Sequence, residues 1–113
     1  MSTEMAKAIS DGARALAQAD GVDYFERGNL AGIADYEMVA QCVLEAAADS
    51  KPGMALHTLH DRPGAVEAAA RALARAEGST AFRQAGSDEA QEYRRTVRTI
   101  LAGAFPAARP QAA

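Results

Sequence analysis

The chain has 113 residues, a formal net charge of -3, and 49% hydrophobic residues. Alanine accounts for 29 of these, whereas Leu, Ile, Val and Phe together number only 18, so we expect one folded domain with a thin core and no room for a second domain. The single cysteine, Cys42, excludes an internal disulfide and a multi-cysteine zinc site. The sequence contains neither a secretion signal nor a run of ~18 apolar residues, so we expect a cytoplasmic protein that does not bind membranes.

The larger apolar residues recur at helical spacing and nowhere alternate with polar ones as they do in a strand. This pattern predicts an all-α fold of four to five short-to-medium helices, irregular or bundle-like, around an alanine-rich core. In chain order we expect helical segments at 3–19, within 22–29, from 33 or 35 to about 48, within 54–60, at 63–77 and from 88 to about 104. Residues 1–105 are predicted to form the domain, and 106–113 a flexible C-terminal tail.

The helix predicted around residues 35–49 has two different faces. One face is an acidic stripe, which consists of Glu37, Gln41, Glu45 and Asp49. Apolar residues cover roughly 200° of the remainder, whereas a one-sided surface helix needs only ~100°. Such a helix must be covered on two sides, so it is either the central helix of this domain or part of a surface that another chain covers.

Two features point to a protein partner. Aromatic and Met side chains are enriched at interface anchors, and several of them lie on or just before this helix. The last helix adds two arginines one turn apart, Arg94 and Arg98, which repel each other and therefore favour partners outside their own helix. The predicted partner-binding residues are Tyr24, Tyr36, Met38, Val39, Cys42, Val43, Arg94 and Arg98.

Charge is unevenly distributed along the chain. Residues 1–61 contain four basic and ten acidic groups, and residues 62–113 contain eight basic and five acidic groups. We therefore expect the basic helices to dock on or near the acidic stripe, either within one chain or between subunits.

The sequence contains few residues that could bind a metal ion or act as a nucleophile. His57 and His60 are three residues apart and Asp61 follows, which is compatible with a metal site, although the sequence offers no further ligand. Two partly exposed histidines that make an interface pH-sensitive are the alternative. Cys42 has apolar helical neighbours that raise a thiol pKa, which is typical of a core cysteine. No catalytic residue, metal site or cofactor is predicted, and enzyme activity is not expected.

The sequence therefore predicts a small regulatory or adaptor protein of bacterial type, homodimeric on its own, that binds another protein through an apolar helix surface. An antiactivator that sequesters a transcription factor is one concrete form. The alternative is a nucleic-acid-binding accessory protein that uses the Arg-rich C-terminal helices, and the acidic balance of the whole chain argues against it. A small ligand or metal binder that uses the two histidines is a third hypothesis.

Overall fold

Five α-helices and two 3₁₀ turns form the described part of the chain, which comprises residues 3–59, 62–84 and 86–105 of a computed structural model. The helices are α1 (Thr3–Ala19), α2 (Tyr24–Arg27), α3 (Leu30–Ser50), α4 (Pro63–Ala76) and α5 (Asp88–Ala104), and the 3₁₀ turns are Leu56–Thr58 and Ala81–Arg83. No strand occurs within these ranges. The predicted all-α fold is confirmed, and the predicted tail at 106–113 lies outside the described residues.

The four long helices form a bundle in which each packs against two neighbours, in the order α1, α3, α4, α5 and back to α1. The core is one cluster of buried residues in which many alanines alternate with larger side chains, six of which are fully buried. These six are Val43, Leu44, Leu59, Val97, Ile100 and Leu101. Helices α1 and α4 pack against two sides of α3, whereas Tyr36 and Val39 of its apolar face stay half-buried. Part of this face is therefore covered within the chain, and covering of the rest by another chain stays a prediction.

Two glycines let α1 and α5 approach each other closely. A Cβ placed on Gly12 would lie 2.9 Å from Cγ2 and 3.0 Å from the carbonyl oxygen of Ile100. A Cβ placed on Gly103 would overlap the Cβ of Ala15. Glycine at position 12 is unfavourable for an isolated helix. In the bundle this cost is offset, because the absence of a side chain at Gly12 leaves the space that α5 occupies.

The predicted start of α3 and the predicted helical segment at 54–60 are wrong. Helix α3 begins at Leu30, several residues before the predicted start, because the side chain of Asn29 accepts a hydrogen bond of 3.0 Å from the backbone N–H of Gly32 and so caps the helix. Of the segment predicted as two helical turns at 54–60, the described residues 54–59 form a single 3₁₀ turn, Leu56–Thr58, which is followed by the buried Leu59. This segment is short and its apolar residues follow Pro52 and Gly53, so little favours a longer helix.

Three large hydrophobic side chains are exposed in the described residues: Leu30 (80%), Met38 (68%) and Met54 (37%). Leu30 and Met38 lie two turns apart on the outer side of α3, with Ala34 between them. In the described part of the chain, no helix combines the length and the apolar character that crossing a membrane requires.

Candidate functional site

An open groove of about 410 Å³ lies where α1, α3, α4 and α5 meet. Its volume falls within the ~300–1,000 Å³ that is usual for ligand pockets. The C-terminal ends of α1 and α4, the first half of α3 and the first half of α5 form its walls. We call this feature the acidic groove, and its lining residues are Leu16, Asp20, Asp35, Tyr36, Val39, Leu73, Glu77, Glu89, Glu92, Tyr93 and Thr96.

The floor of the acidic groove is apolar and its rim is acidic. Leu16 and Leu73 are buried at the bottom, and Val39 is half-buried beside them. The five carboxylates of the lining are exposed, and none of the described lining residues is Lys, Arg or His. One of the five, Glu92, forms an ion pair of 2.6 Å with Arg95, which lies outside the lining. The C-terminal ends of α1 and α4 add negative partial charge from their helix dipoles. The groove therefore offers apolar contact to a side chain and a negative potential to a cation.

Two tyrosines connect the floor to the rim. The hydroxyl of Tyr36 donates a hydrogen bond of 2.8 Å to Asp20, and the hydroxyl of Tyr93 donates one of 2.8 Å to Glu77. Burial raises the pKa of Tyr36 to about 12, with a further contribution from the hydrogen bond to Asp20. Burial also raises the pKa of Tyr93, and its hydrogen bond to Glu77 adds to the effect. Both phenols therefore remain neutral donors, and each holds a carboxylate in place at the rim.

The predicted partner-binding residues of α2 and α3 are distributed over different surroundings. Tyr36 and Val39 line the acidic groove. The ring of Tyr24 packs against that of Tyr36, with 6.0 Å between their centroids. Met38 is exposed beyond the lining residues, whereas Val43 is fully buried inside the bundle and offers no surface to a partner.

Cys42 is only half-buried on α3. Burial raises the pKa of its thiol, and the nearby carboxylates of Glu45 and Glu77 act in the same direction. The direction predicted from its apolar neighbours is confirmed. A thiol that holds its proton in this way is a poor nucleophile.

The two predicted arginines of α5 have different environments. Arg94 has a partner outside its helix, as predicted, but that partner is Glu67 on α4 of the same chain, at 2.7 Å from Nε and 3.0 Å from Nη2. The hydrogen bonds to Glu67 also raise the pKa of Arg94. Arg94 is thus engaged within the bundle and not held ready for another protein. Arg98 is exposed and has no ion pair among the described residues.

Helix α4 packs against α3, but among the described residues no ion pair joins the basic helices to the acidic stripe of α3. Each ion pair between described residues joins two groups from the same half of the sequence. Between described residues, the one side-chain hydrogen bond along the stripe runs from Gln41 to Glu45, at 3.4 Å. The alternative that was left open, docking between subunits, stays a prediction, as does the homodimer itself.

No cluster of three or more His, Cys, Asp or Glu side chains suited to a metal ion occurs among residues 3–59, 62–84 and 86–105. His57 is exposed in the 3₁₀ turn Leu56–Thr58, and His60 and Asp61 lie outside the described residues. The described residues therefore add no further ligand to the two-histidine hypothesis.

Comparison of the chain with protein-family models, with curated proteins and with solved structures gives no match.

Proposed function

We propose that this protein is a non-enzymatic regulator that binds a basic, amphipathic helix of another protein in the acidic groove. The observation on which this proposal depends is the composition of the lining, in which five carboxylates surround an apolar floor and only Glu92, which pairs with Arg95, is in an ion pair among the described residues. A helix whose apolar face enters a groove while its charged flanks meet the rim is a common mode of recognition.

The rim specifies which helix would bind. Asp20 and Asp35 lie on the α1 and α3 sides, and Glu77, Glu89 and Glu92 lie on the α4 and α5 sides. An incoming helix therefore meets carboxylates on both flanks, so Lys or Arg on both edges of its apolar stripe would be matched. The floor has room for a few large side chains, which become the anchors that exclude water.

This chemistry is shared by the DNA-contacting helices of many transcription factors, which present arginines and lysines to phosphates. A groove that neutralises those cations would compete with DNA for the same helix surface. The antiactivator predicted from the sequence is thus the form of the proposal that the charge of the groove favours. No catalytic step is needed for such a regulator.

A peptide titration tests the proposal. We would compare two 18-residue helical peptides that share one Leu stripe and one Trp but carry either Lys or Glu along both flanks. The protein contains no tryptophan, so the fluorescence of the peptide reports binding alone. We expect saturable binding of the Lys peptide, at least about tenfold weaker binding of the Glu peptide, and loss of affinity with added salt.

Two substitutions on α3 provide a matched pair. Asp35 and Asp49 are both exposed, and only Asp35 lines the groove. We expect Asp35→Lys to weaken binding of the Lys peptide about three- to tenfold and Asp49→Lys to leave it nearly unchanged. Equal effects of the two substitutions, or equal affinity for the two peptides, would contradict the proposal.

A further inference from the structure

A second pocket, of opposite charge, lies on the other side of the C-terminal half of α4. Leu73 and Glu77 face the acidic groove, whereas Arg71 and Arg75 line this second pocket, whose volume is about 380 Å³. We call it the basic pocket; the polar and aromatic residues of its lining are Arg71, Arg75, Ser79, Thr80, Phe82 and Arg83.

The positive charge of the basic pocket is only partly neutralised. Glu67 pairs with Arg71 at 3.1 Å, but the same carboxylate also accepts two hydrogen bonds from Arg94. Arg75 and Arg83 are exposed and make no ion pair with any described residue. No Asp or Glu is among the described residues that line the pocket. At least two guanidinium groups therefore face solvent without a counter-charge.

The fold holds these like charges together. Arg71 and Arg75 are one turn apart on α4, and the 3₁₀ turn Ala81–Arg83 brings Arg83 beside them. The guanidinium groups of Arg71 and Arg94 lie over the ring of Phe82, at 4.9 and 5.1 Å from its centroid. These cation-π contacts fix the ring and the arginines relative to each other before any ligand arrives.

Hydrogen bonds also fix the loop that closes the pocket. The backbone N–H of Ala81 donates to the hydroxyl of Ser79 at 3.1 Å, and the hydroxyl of Ser87 donates to the carbonyl of Ala81 at 2.8 Å. Ser79 in turn donates to Glu89 at 2.6 Å. The exposed Thr80 lies between these anchored positions and retains a hydroxyl that can donate to a ligand.

We propose that the basic pocket binds a phosphate monoester. A guanidinium group presents two parallel N–H donors that match two phosphate oxygens. A monoester is close to a dianion at neutral pH, so its charge balances the two positive charges of Arg75 and Arg83. The ester can be a phosphorylated side chain of a protein or a free small molecule, since both present the same group.

Nucleic acid fits this surface less well. The ring of Phe82 is half-buried and already has two guanidinium groups over it, so it is a poor platform for a base. A long polyanion would also pass close to Glu77 and Glu89, which belong to the adjoining acidic groove. A small ligand needs no stacking platform, and it can bind beside Arg75 and Arg83 without extending along the acidic groove.

Calorimetric titration of the full chain tests this proposal with three monoester or phosphate probes: a short uncharged peptide with one phosphoserine, phenyl phosphate, and inorganic phosphate. We expect saturable binding, and binding of the two monoesters should weaken as the pH falls through about 6, where a monoester gains its second proton. Tighter binding of the phosphopeptide would indicate a protein ligand, and equal affinities would indicate a free small molecule; both results support the site.

Substitutions at exposed arginines locate the binding. We expect Arg75→Gln and Arg83→Gln each to weaken binding about ten- to hundredfold, as does loss of a hydrogen bond between charged groups. Arg62→Gln removes the same charge from the opposite end of α4 and should leave affinity within about twofold, as is usual for a distant exposed charge. Circular dichroism verifies that all three variants fold.

Three results would overturn the proposal. The first is no saturable binding of any probe, or an equal loss of affinity in the Arg62 variant. The second is tighter binding of a short DNA duplex than of the monoesters, with the same dependence on Arg75 and Arg83. The third is a dimer that Arg75→Gln dissociates, which would make a second copy the occupant of the pocket.

Discussion

The contact between Gly103 and Ala15 gives the sharpest test of how this bundle is held together. Replacing Gly103 with alanine adds one methyl group to α5, and this methyl would overlap the Cβ of Ala15 on α1. A Cβ has no rotamer with which to move aside, so the two helix backbones must separate. Separation would loosen the packing around Ile100, a fully buried core residue of α5.

The expected magnitude follows from two opposing effects. Alanine in place of glycine favours a helix interior by up to about 1 kcal/mol. Overpacking of a well-packed core costs about 1–3 kcal/mol. Because the overlap at Gly103 is between two backbone-fixed atoms, we expect the packing cost to exceed the helix gain by about 1–2 kcal/mol, which lowers the melting temperature by roughly 4–8 °C in a chain of this size.

Urea denaturation followed by far-UV circular dichroism measures this change. The slope of the free energy of unfolding against urea concentration should be the same in the Gly103→Ala variant and the original chain. Gly64→Ala is the control, since a Cβ there meets only Lys51 Cε at 3.5 Å and Nζ at 3.6 Å, which is ordinary contact. We expect it to be neutral or to stabilise the protein by up to about 1 kcal/mol.

The double variant Ala15→Gly with Gly103→Ala moves the methyl group from α1 to α5 and removes the overlap. Helix propensity is lost at one position and gained at the other, so stability should return to within about 0.5 kcal/mol of the original, and the double-mutant cycle should show strong coupling. The reasoning is refuted if Gly103→Ala stabilises the protein as Gly64→Ala does, or if the double variant is no more stable than Gly103→Ala alone.

Two further predictions concern ionisable groups in the bundle. The hydrogen bonds from Arg94 hold the pKa of Glu67 below its usual range, with help from Arg71 and against a smaller effect of burial. Glu67→Gln should therefore lower the free energy of unfolding at pH 7, and the difference from the original chain should disappear as the pH falls below the usual range of a glutamate and through the lowered pKa. Ultraviolet titration of the original chain should show one tyrosine that ionises at about pH 12, and Tyr36→Phe should remove that component. Since the raised pKa of Tyr36 stabilises the fold only while the phenol is protonated, the stability linked to it should be lost above about pH 10, where an unfolded tyrosine ionises.

Capping residues and glycines in the sequence correctly predicted the end of α1 and the start of α5. Helix α1 ends at Ala19 before Gly21, whose φ of 77° suits glycine, and α5 begins after Ser87, whose side chain accepts a hydrogen bond from the N–H of Ala90. These determinants act within four residues and can be found by inspection. The predicted start of α3 is several residues too late because Asn29, which follows Gly28, is equally compatible with the end of the preceding turn.

The acidic groove could be predicted only in part. Tyr36 and Val39 stood out as large residues beside a charged helix face, and both line the groove. The carboxylates of the rim were not singled out, since the groove depends on which helices become neighbours and no local pattern specifies that order. One signal was present in retrospect: Tyr36 and Tyr93 each bind a carboxylate that lies 16 residues earlier in the chain, at the end of another helix.

The distribution of charge shows why position along the chain is a poor guide to the field of the folded protein. The rim of the acidic groove takes Asp20 and Asp35 from the acidic half of the sequence and three glutamates from the half with net positive charge. Negative and positive side chains lie on opposite faces of the C-terminal end of α4, since Glu77 lies on the same face as Leu73 and Arg75 lies on the opposite face. Rotation of α4 about its axis would place Glu77 and Arg75 differently relative to the acidic groove and the basic pocket. The apolar contact of Leu73 with the core fixes this rotation and so also determines where a cation and an anion can bind.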